Sequence, residues 1–202
     1  MGGKKRAIRR RIRGLPARSV VLAEDETDLL LFPPLRASWS PRGRPEEVAL
    51  SGWNGRRVVF GAMNLRTGHR VFVPRERQRA GDFQAFLRAV RSAYRGWHVA
   101  LLLDEDPSHT AKGSVGLAEQ LGIELLWLPK RLPKLNPMDT LWGQGKDVIC
   151  ADHQYESLEE QVNRFIGYLR GLTPREALQT AGIHAKGFWL RSALRKDFCR
   201  PA

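Results

Sequence analysis

The 202-residue chain is predicted to adopt a mixed α/β fold, in which helices cover a sheet that is antiparallel on one side. Two β-rich runs joined by a short turn at residues 66–68 indicate a hairpin. The apolar run at residues 98–104 is typical of a central strand covered on both faces. Strand-like and helix-like segments alternate after it, which favours parallel strands joined by helices.

The elements before the central strand follow from local composition. Valine and leucine in residues 19–25 predict a first strand, and proline and glycine in residues 36–47 indicate a loop. Residues 56–65 and 69–74 form the predicted hairpin. Apolar side chains at helical spacing in residues 81–94 predict an amphipathic helix.

After the central strand, the sequence predicts one more strand within a series of helices. The strand is residues 123–129, preceded by a helix at 111–122. Helices are then predicted at 136–150, 157–172 and 173–182, with Ser157 and Thr173 as N-caps of the last two.

Charge is the strongest property of the composition. Lysine and arginine total 34 against 21 acidic residues, so the net charge is +13 and the isoelectric point is near 10.6. Eight of the basic residues fall in residues 1–18, which contain no acid. A basic N-terminal arm (1–18) ahead of a basic domain (19–202) predicts a polyanionic partner, most commonly nucleic acid. The alternative is a solubilising tail.

Composition also limits the cellular compartments that are expected for the protein. No apolar stretch is long enough to span a membrane, so no membrane partner is expected. The two cysteines are too few for a disulfide framework. A reducing cytosol is the expected compartment.

Two aspartates end predicted strands that could be neighbours in the sheet, and a third acid is expected to join them. Asp104 follows the central strand at its carboxyl end, where ligands of open α/β sheets bind. Asp25 ends the first strand, and if these strands are neighbours the two carboxylates approach each other. Close carboxylates disfavour joint ionisation unless a cation bridges them, and their oxygens suit Mg²⁺ or Mn²⁺. Asp139, the third position of the helix predicted from Asn136, is the candidate third ligand.

Each aspartate taken alone also fits a structural role. Aspartate is common where strands give way to turns, which accounts for Asp25 and Asp104. Asn136 resembles an N-cap with Pro137 at the first helical position, and an acid in the first turn is favoured by the helix dipole. The functional interpretation therefore depends on the order and context of the three residues.

That order and context resemble the DDE superfamily endonucleases, and most of all the bacterial insertion-sequence transposases related to mariner elements. The family's first motif is a strand ending in Asp-Glu-Ser/Thr, which Asp25, Glu26 and Thr27 match. Its second is an apolar strand ending in Asp with a histidine shortly after, which Asp104 and His109 match. As in the family, 34 residues separate the second and third acids.

The third motif is the most specific part of the resemblance. It is a Leu-Pro, Leu-Asn-Pro-x-acid, Leu-Trp series ending in Lys, and the matching residues are Leu128, Pro129, Leu135, Asn136, Pro137, Asp139, Leu141, Trp142 and Lys146. The loop around Trp39 and Gly43 and the hairpin are also similar to the family. The resemblance runs from about Ser19 to beyond Lys146.

The resemblance implies a ribonuclease H-like fold, a mixed five-stranded sheet flanked by helices. It implies that Asp25, Asp104 and Asp139 are catalytic and hold two Mg²⁺ (or Mn²⁺) ions for DNA cleavage and strand transfer. The implied partners are transposon ends and target DNA, and a homodimer is expected because two ends must be cut together. The family reads transposon ends through an N-terminal helix-turn-helix region, for which residues 1–18 leave no room. The chain is therefore expected to be a catalytic half, a second frame that works with a separately encoded helix-turn-helix protein, an engineered fragment, or a decayed copy.

Three features depart from the family pattern. Glu105 stands where asparagine is usual and adds negative charge beside the site. Asp139 is the shorter acid typical of mariner itself, where the bacterial branch usually has glutamate. Gly143 and Gly145 lie in a predicted helix and are expected to loosen it, at about 1 kcal/mol each relative to alanine.

Basic and aromatic residues outside the acids are candidates for nucleic-acid binding. The candidates are Lys4, Lys5, Arg9, Arg10, Arg11, Trp39, Arg42, Arg44 and His109. The interpretation of the chain as a transposase catalytic domain has two alternatives. One is a catalytically inactive remnant that only binds nucleic acid, and the other is a different nuclease of the ribonuclease H-like fold.

Overall fold

The computed structural model of the chain describes residues 2–36, 39, 42–44, 47–130 and 132–194. Five strands form one sheet in the order β3-β2-β1-β4-β5. They are β1 (Ser19–Leu30), β2 (Arg56–Asn64), β3 (Arg70–Arg75), β4 (His98–Leu103) and β5 (Ile123–Trp127). β1 pairs antiparallel with β2 and parallel with β4, so it joins an antiparallel half to a parallel half. The predicted mixed five-stranded sheet is confirmed.

Seven α-helices accompany the sheet in the described part of the chain. They are α1 (Gly2–Arg13), α2 (Ala80–Ala93), α3 (Pro107–Thr110), α4 (Lys112–Gln120), α5 (Met138–Gly145), α6 (Leu158–Gly171) and α7 (Pro174–Thr180). A 3₁₀ turn (Pro133–Leu135) precedes α5, and a π-helical turn (Lys146–Cys150) follows it. The predicted caps are present, since Ser157 and Thr173 accept hydrogen bonds from the third residue of α6 and α7. No helix in these ranges has the length and apolar character needed to cross a membrane.

The helices cover both faces of the sheet and bury a core under each. Phe83, Phe86 and Leu87 of α2 pack with β-strand residues such as Phe60 on one face. The core of the opposite face is formed by α1, α5, α6 and α7 with the other alternating set of strand residues. Both faces of the central strands are therefore buried, which accounts for the uninterrupted apolar sequence of β4.

β1 extends five residues beyond its predicted end at Asp25. Pairing with β4 stops at Ala23, whereas pairing with β2 continues to Leu30. The prediction failed at this boundary because residues 26–28 are polar and the hydrogen bonds of residues 26–30 come from the antiparallel ladder with β2 alone. Asp25 consequently lies inside a strand, at the point where the sheet opens on one side.

The basic segment before Ser19 is not a free arm, in contrast to the prediction. Residues 2–13 form α1, and the side chains of Ile8, Ile12 and Leu15 are buried in the core beneath the sheet. Their spacing of four and three residues gives α1 one apolar face, which the high charge of the segment obscured in the sequence. The guanidinium of Arg11 additionally pairs with Glu124 of β5.

The two glycines of α5 have different structural roles. A Cβ added at Gly145 would lie 2.7 Å from Cε2 of Phe165 in α6, whereas one added at Gly143 would meet nothing within 4 Å. Gly145 therefore permits close packing of α5 on α6 and does not loosen the element, which corrects the sequence-based expectation. Of these two glycines, only Gly143 lowers the stability of the helix without allowing a closer packing contact.

We expect Gly143→Ala to stabilise the protein by about 1 kcal/mol, because it removes the backbone entropy of glycine in a helix without a clash. The matched Gly145→Ala should destabilise it by roughly 1–3 kcal/mol, because Phe165 must move. Urea unfolding followed by circular dichroism measures both. Equal effects of the two substitutions would contradict the packing role of Gly145.

Candidate active site

Asp25 and Asp104 lie at the same edge of the sheet because β1 and β4 are adjacent and parallel. The last paired residues of these strands are Ala23 and Leu102, so each aspartate stands two positions beyond a paired residue. Alternation places Asp25 on the face of Ala23 and Asp104 on the face of Leu102, which is the same face of the sheet. The predicted adjacency of the first and central strands is confirmed.

Asn136 brings Asp139 to the same place. Its Nδ2 donates to the backbone oxygen of Glu24 at 2.6 Å, next to Asp25 in β1. Its Oδ1 accepts from the backbone N–H of Met138 at 3.2 Å, where α5 begins. α5 begins at Met138 with Pro137 as its N-cap, one residue later than predicted, so Asn136 precedes the cap and ties the start of α5 to β1. Asp139, in the first turn of α5, is exposed beside that tether.

The three aspartates line one open cavity of about 560 Å³. The remaining lining residues are Glu105, Asp106, Leu128, Pro129, Lys130, Leu132 and Asn136. The third sequence motif therefore forms one wall and the ends of β1 and β4 form the other. The structure brings Asp25, Asp104 and Asp139 together, as the sequence pattern predicted.

Asp25 is the most perturbed of the three acids. Burial raises its pKa to about 8, and the neighbouring carboxylates of Glu26, Asp104 and Asp139 add to the rise. An interaction with the indole of Trp142 opposes it. Like charges held this close are stable only if a proton or a cation is shared among them.

Asp104 presents one oxygen to the cavity and has the other occupied. Its Oδ1 accepts from the backbone N–H of Asp106 at 3.0 Å and from Nδ1 of His109 at 3.1 Å. The hydrogen bond from His109 holds the pKa of Asp104 below its usual value, so the carboxylate is ionised. Both donors bind Oδ1, so Oδ2 is the oxygen of this cavity-lining carboxylate that is left for a cation.

The charge of Glu105 is already matched within the protein. Its carboxylate binds Nζ of Lys4 in α1 at 2.5 Å and Nζ of Lys130 at 3.2 Å. The hydrogen bond from Lys4, and after it the one from Lys130, lowers the pKa of Glu105. The acid that replaces the usual asparagine therefore anchors the beginning of α1 and holds two ammonium groups at the rim of the cavity.

A second acidic group lies behind the cavity, on the α2 face of the sheet. Glu24 and His109 are fully buried, and the side chain of Glu26 is 8 % exposed. Nε2 of His109 is 3.2 Å from Oε1 of Glu26 and 3.8 Å from Oε2 of Glu24. Burial raises the pKa of Glu24 well above its usual value. Burial alone would lower the pKa of His109, but Glu24, Asp104 and Glu26 together raise it to about 11.

This position corrects the assignment of His109 as a nucleic-acid contact. The imidazole has no exposed surface and its ring centroid is 4.3 Å from that of Phe83 in α2. The short helix α3, which sequence reasoning missed, turns the ring inward; Asp106 caps it by accepting from the backbone N–H of Ser108 at 2.8 Å. A ring held in the core cannot touch DNA.

The other nucleic-acid candidates lie at the surface or near it. Lys4 and Arg11 form the ion pairs with Glu105 and Glu124, whereas Arg10 is exposed and Lys5 and Arg9 are half-buried. Trp39, Arg42 and Arg44 are exposed, and several of their neighbours in the predicted loop 36–47 lie outside the described residues, as do residues 195–202 of the predicted domain. Their role in DNA binding stays a prediction.

Two polar residues of the site were missed from the sequence. Glu24 precedes Asp25 in the string "AEDET", and alternation along a strand could have placed it with Glu26 on the face opposite Asp25. Lys130 carried no local signal, because its pairing with Glu105 joins two loops that follow different strands.

Comparison with known proteins agrees with the geometry. The sequence profile of the family described as DDE superfamily endonuclease matches residues 20–162. The insertion element IS630 uncharacterized 39 kDa protein of Shigella sonnei is 25% identical over 173 residues, which cover 85% of this chain and 50% of that protein. The chain thus spans about half the length of this curated relative.

Solved structures of Mos1 transposase share the fold. The catalytic domain of Mos1 mariner transposase superposes with a TM-score of 0.65 at 16% identity, covering 95% of this chain and 90% of that one. The Mos1 paired-end complex with left transposon end gives a TM-score of 0.69 at 16% identity, covering 94% of this chain and 60% of that one. The mariner Mos1 paired end complex with Mg gives a TM-score of 0.69 at 18% identity, covering 94% of this chain and 60% of that one. With the profile match covering most of the chain and three aspartates converging on one cavity, the protein belongs to the DDE superfamily endonucleases.

Proposed function

We propose that the chain is the catalytic domain of a transposase, which cleaves DNA and joins the resulting 3′ ends to target DNA in a reaction that depends on Mg²⁺ or Mn²⁺. The observation that carries this proposal is the convergence of Asp25, Asp104 and Asp139 on one open cavity from three distant parts of the sequence. A structural explanation for each acid alone does not account for their meeting. Membership of the endonuclease family supports it.

The residues of the cavity fit divalent cations. The pKa of Asp25 is raised to about 8 beside two further carboxylates, and that repulsion is relieved when a cation is shared. Hard carboxylate oxygens are the ligands that Mg²⁺ and Mn²⁺ prefer. Asp25, Asp104 and Asp139 would hold two such ions. When bound, the ions stabilise charge on the attacking and leaving oxygens of the phosphodiester.

The remaining residues of the rim prepare the cavity for a phosphate backbone. Lys4 and Lys130 both pair with Glu105, so two ammonium groups stand at the entrance beside the acidic floor of the cavity. Basic groups at this distance attract DNA and position its backbone without reading sequence. Asn136 keeps the wall that carries Asp139 attached to β1 while DNA binds.

The proposed partners are transposon ends and target DNA. The Mos1 neighbours include a paired-end complex with left transposon end and a strand transfer complex, which supports DNA as the partner. A separately encoded helix-turn-helix protein for end recognition and a homodimer that pairs two ends complete the proposal.

Metal removal tests the proposed function. A supercoiled plasmid and a labelled duplex with a free 3′-hydroxyl are incubated with the purified chain and Mg²⁺, Mn²⁺ or EDTA. We expect nicking and joined products with either metal, none in EDTA, and recovery when Mn²⁺ is added in excess.

Binding of the same DNA is measured in parallel by gel shift. Metal-independent binding without any cleavage would identify the chain as a remnant that only binds nucleic acid. Cleavage of an RNA strand or a branched junction in preference to the duplex would identify a different nuclease of this fold.

A further inference from the structure

Two buried glutamates behind the cavity have no role in the reaction described above. Both carboxylate oxygens of Glu24 are buried and accept no hydrogen bond. Glu26 accepts from Nε2 of Gln78 at 2.5 Å. Burying such charges costs several kcal/mol unless they are paired, and apolar residues would pack here at less cost. The nearest cationic group is the imidazole of His109, which both glutamates face.

The position of each ring nitrogen of His109 is determined by its neighbours. Nδ1 lies 3.1 Å from Oδ1 and 3.3 Å from the backbone oxygen of Asp104, and both atoms are acceptors. Nδ1 therefore carries a proton and donates to Asp104. Nε2 points away from the cavity, towards Glu26 and Glu24. The ring thus connects the buried glutamates on one face of the sheet to Asp104 at its edge.

This connection restricts the side-chain rotamer of Asp104. Asp104 lies just after β4, and its side chain is 61% exposed, so its rotamer is not set by packing. The two donors on Oδ1 restrict the rotation of this side chain and leave Oδ2 for a cation in the cavity that Asp104 lines. The packing of His109 on Phe83 and the bond from Ser114 Oγ to the backbone oxygen of Ser108 at 2.7 Å hold the donor itself in place.

We propose that His109 is a positioning residue, held by Glu24 and Glu26, that fixes the metal-binding rotamer of Asp104. The inference rests on the proposed function, since it assigns Asp104 as a metal ligand. Groups that orient metal ligands by hydrogen bonding typically change metal affinity or activity by about 10–100-fold when they are removed. His109 does so without contact to metal or DNA.

The test removes the Nδ1–H donor of His109 while keeping an aromatic ring at this position. His109→Phe preserves the packing on Phe83 but leaves two buried carboxylates without a cation, so Glu24→Gln is added to remove one of them. Glu24→Gln alone is the background control. His109→Asn restores an N–H donor near the position of Nδ1. His98→Phe is the matched control, because His98 pairs with Glu124 at the opposite end of β4.

Mn²⁺ binding without DNA is measured by electron paramagnetic resonance, together with thermal unfolding and the Mn²⁺ dependence of cleavage. We expect the Mn²⁺ dissociation constant of the double variant to rise about 10–100-fold, with partial recovery in His109→Asn and no change in His98→Phe. DNA binding in EDTA should be unchanged.

A merely structural role would lower the unfolding temperature without changing Mn²⁺ affinity. If the double variant binds Mn²⁺ like Glu24→Gln alone, the positioning role is wrong and the proposed function stands. If the unsubstituted protein binds no Mn²⁺ and cleaves no DNA, both are overturned.

Discussion

Asp104→Asn is expected to reduce metal-dependent DNA cleavage by at least about 10³-fold, equivalent to roughly 4 kcal/mol of transition-state stabilisation. Asparagine keeps the size of the side chain and an oxygen that accepts from Asp106 and His109. It replaces Oδ2 with a neutral amide group at a residue that lines the cavity. The substitution therefore removes a charged metal ligand and leaves the surrounding hydrogen bonds intact, and single-turnover cleavage of a labelled duplex measures the loss.

Asp28→Asn is the matched control for this experiment. Asp28 lies in β1 three residues after Asp25, but its side chain is 45% exposed and pairs with Arg56 at 2.9 Å on the surface. We expect cleavage to change less than about twofold, because an exposed ion pair contributes little. Asp139→Asn should behave like Asp104→Asn, since Asp139 lines the same cavity. Equal residual activity in all three variants would show that the cleavage comes from a contaminant.

Asp25→Asn is expected to abolish cleavage and to stabilise the metal-free protein at alkaline pH. The pKa of Asp25 rises from 3.8 to about 8 in the folded chain. Between these values the folded protein holds a proton that the unfolded chain has released, so stability falls as pH rises through this window. Asparagine removes this loss, and we expect the unfolding temperature in EDTA to increase by on the order of 5 °C at pH 8.

The pH dependence distinguishes this effect from a general change in packing. At pH 4 the side chain of Asp25 is protonated in the folded protein and is as neutral as asparagine. The increase in unfolding temperature from Asp25→Asn should therefore be small at this pH. Adding Mn²⁺ at pH 8 should stabilise the unsubstituted protein and leave Asp25→Asn unchanged, because ligand binding to the folded state raises its stability. A variant that is less stable than the unsubstituted protein throughout the pH range would show that Asp25 has a structural rather than a ligand role.

Local sequence patterns predicted most of the secondary structure, and for identifiable reasons. The apolar run of β4, the hairpin of β2 and β3 and the capped helices α6 and α7 each depend on contacts close in the chain. Three elements were missed or misjudged, namely α3, α1 and β1. α1 was read from its charge alone, although Ile8, Ile12 and Leu15 mark a buried face. β1 was ended at Asp25 because its last residues depend on pairing with β2, which is distant in sequence.

The sequence by itself indicated which acids converge, because the order of the three motifs and their resemblance to the DDE superfamily endonucleases marked Asp25, Asp104 and Asp139. Only the tertiary structure decided how each is held. The inward turn of His109, the free oxygen of Asp104 and the pairing of Glu105 with Lys4 and Lys130 arise from contacts between segments up to 101 residues apart. Such contacts follow from packing in three dimensions, and no local pattern encodes them.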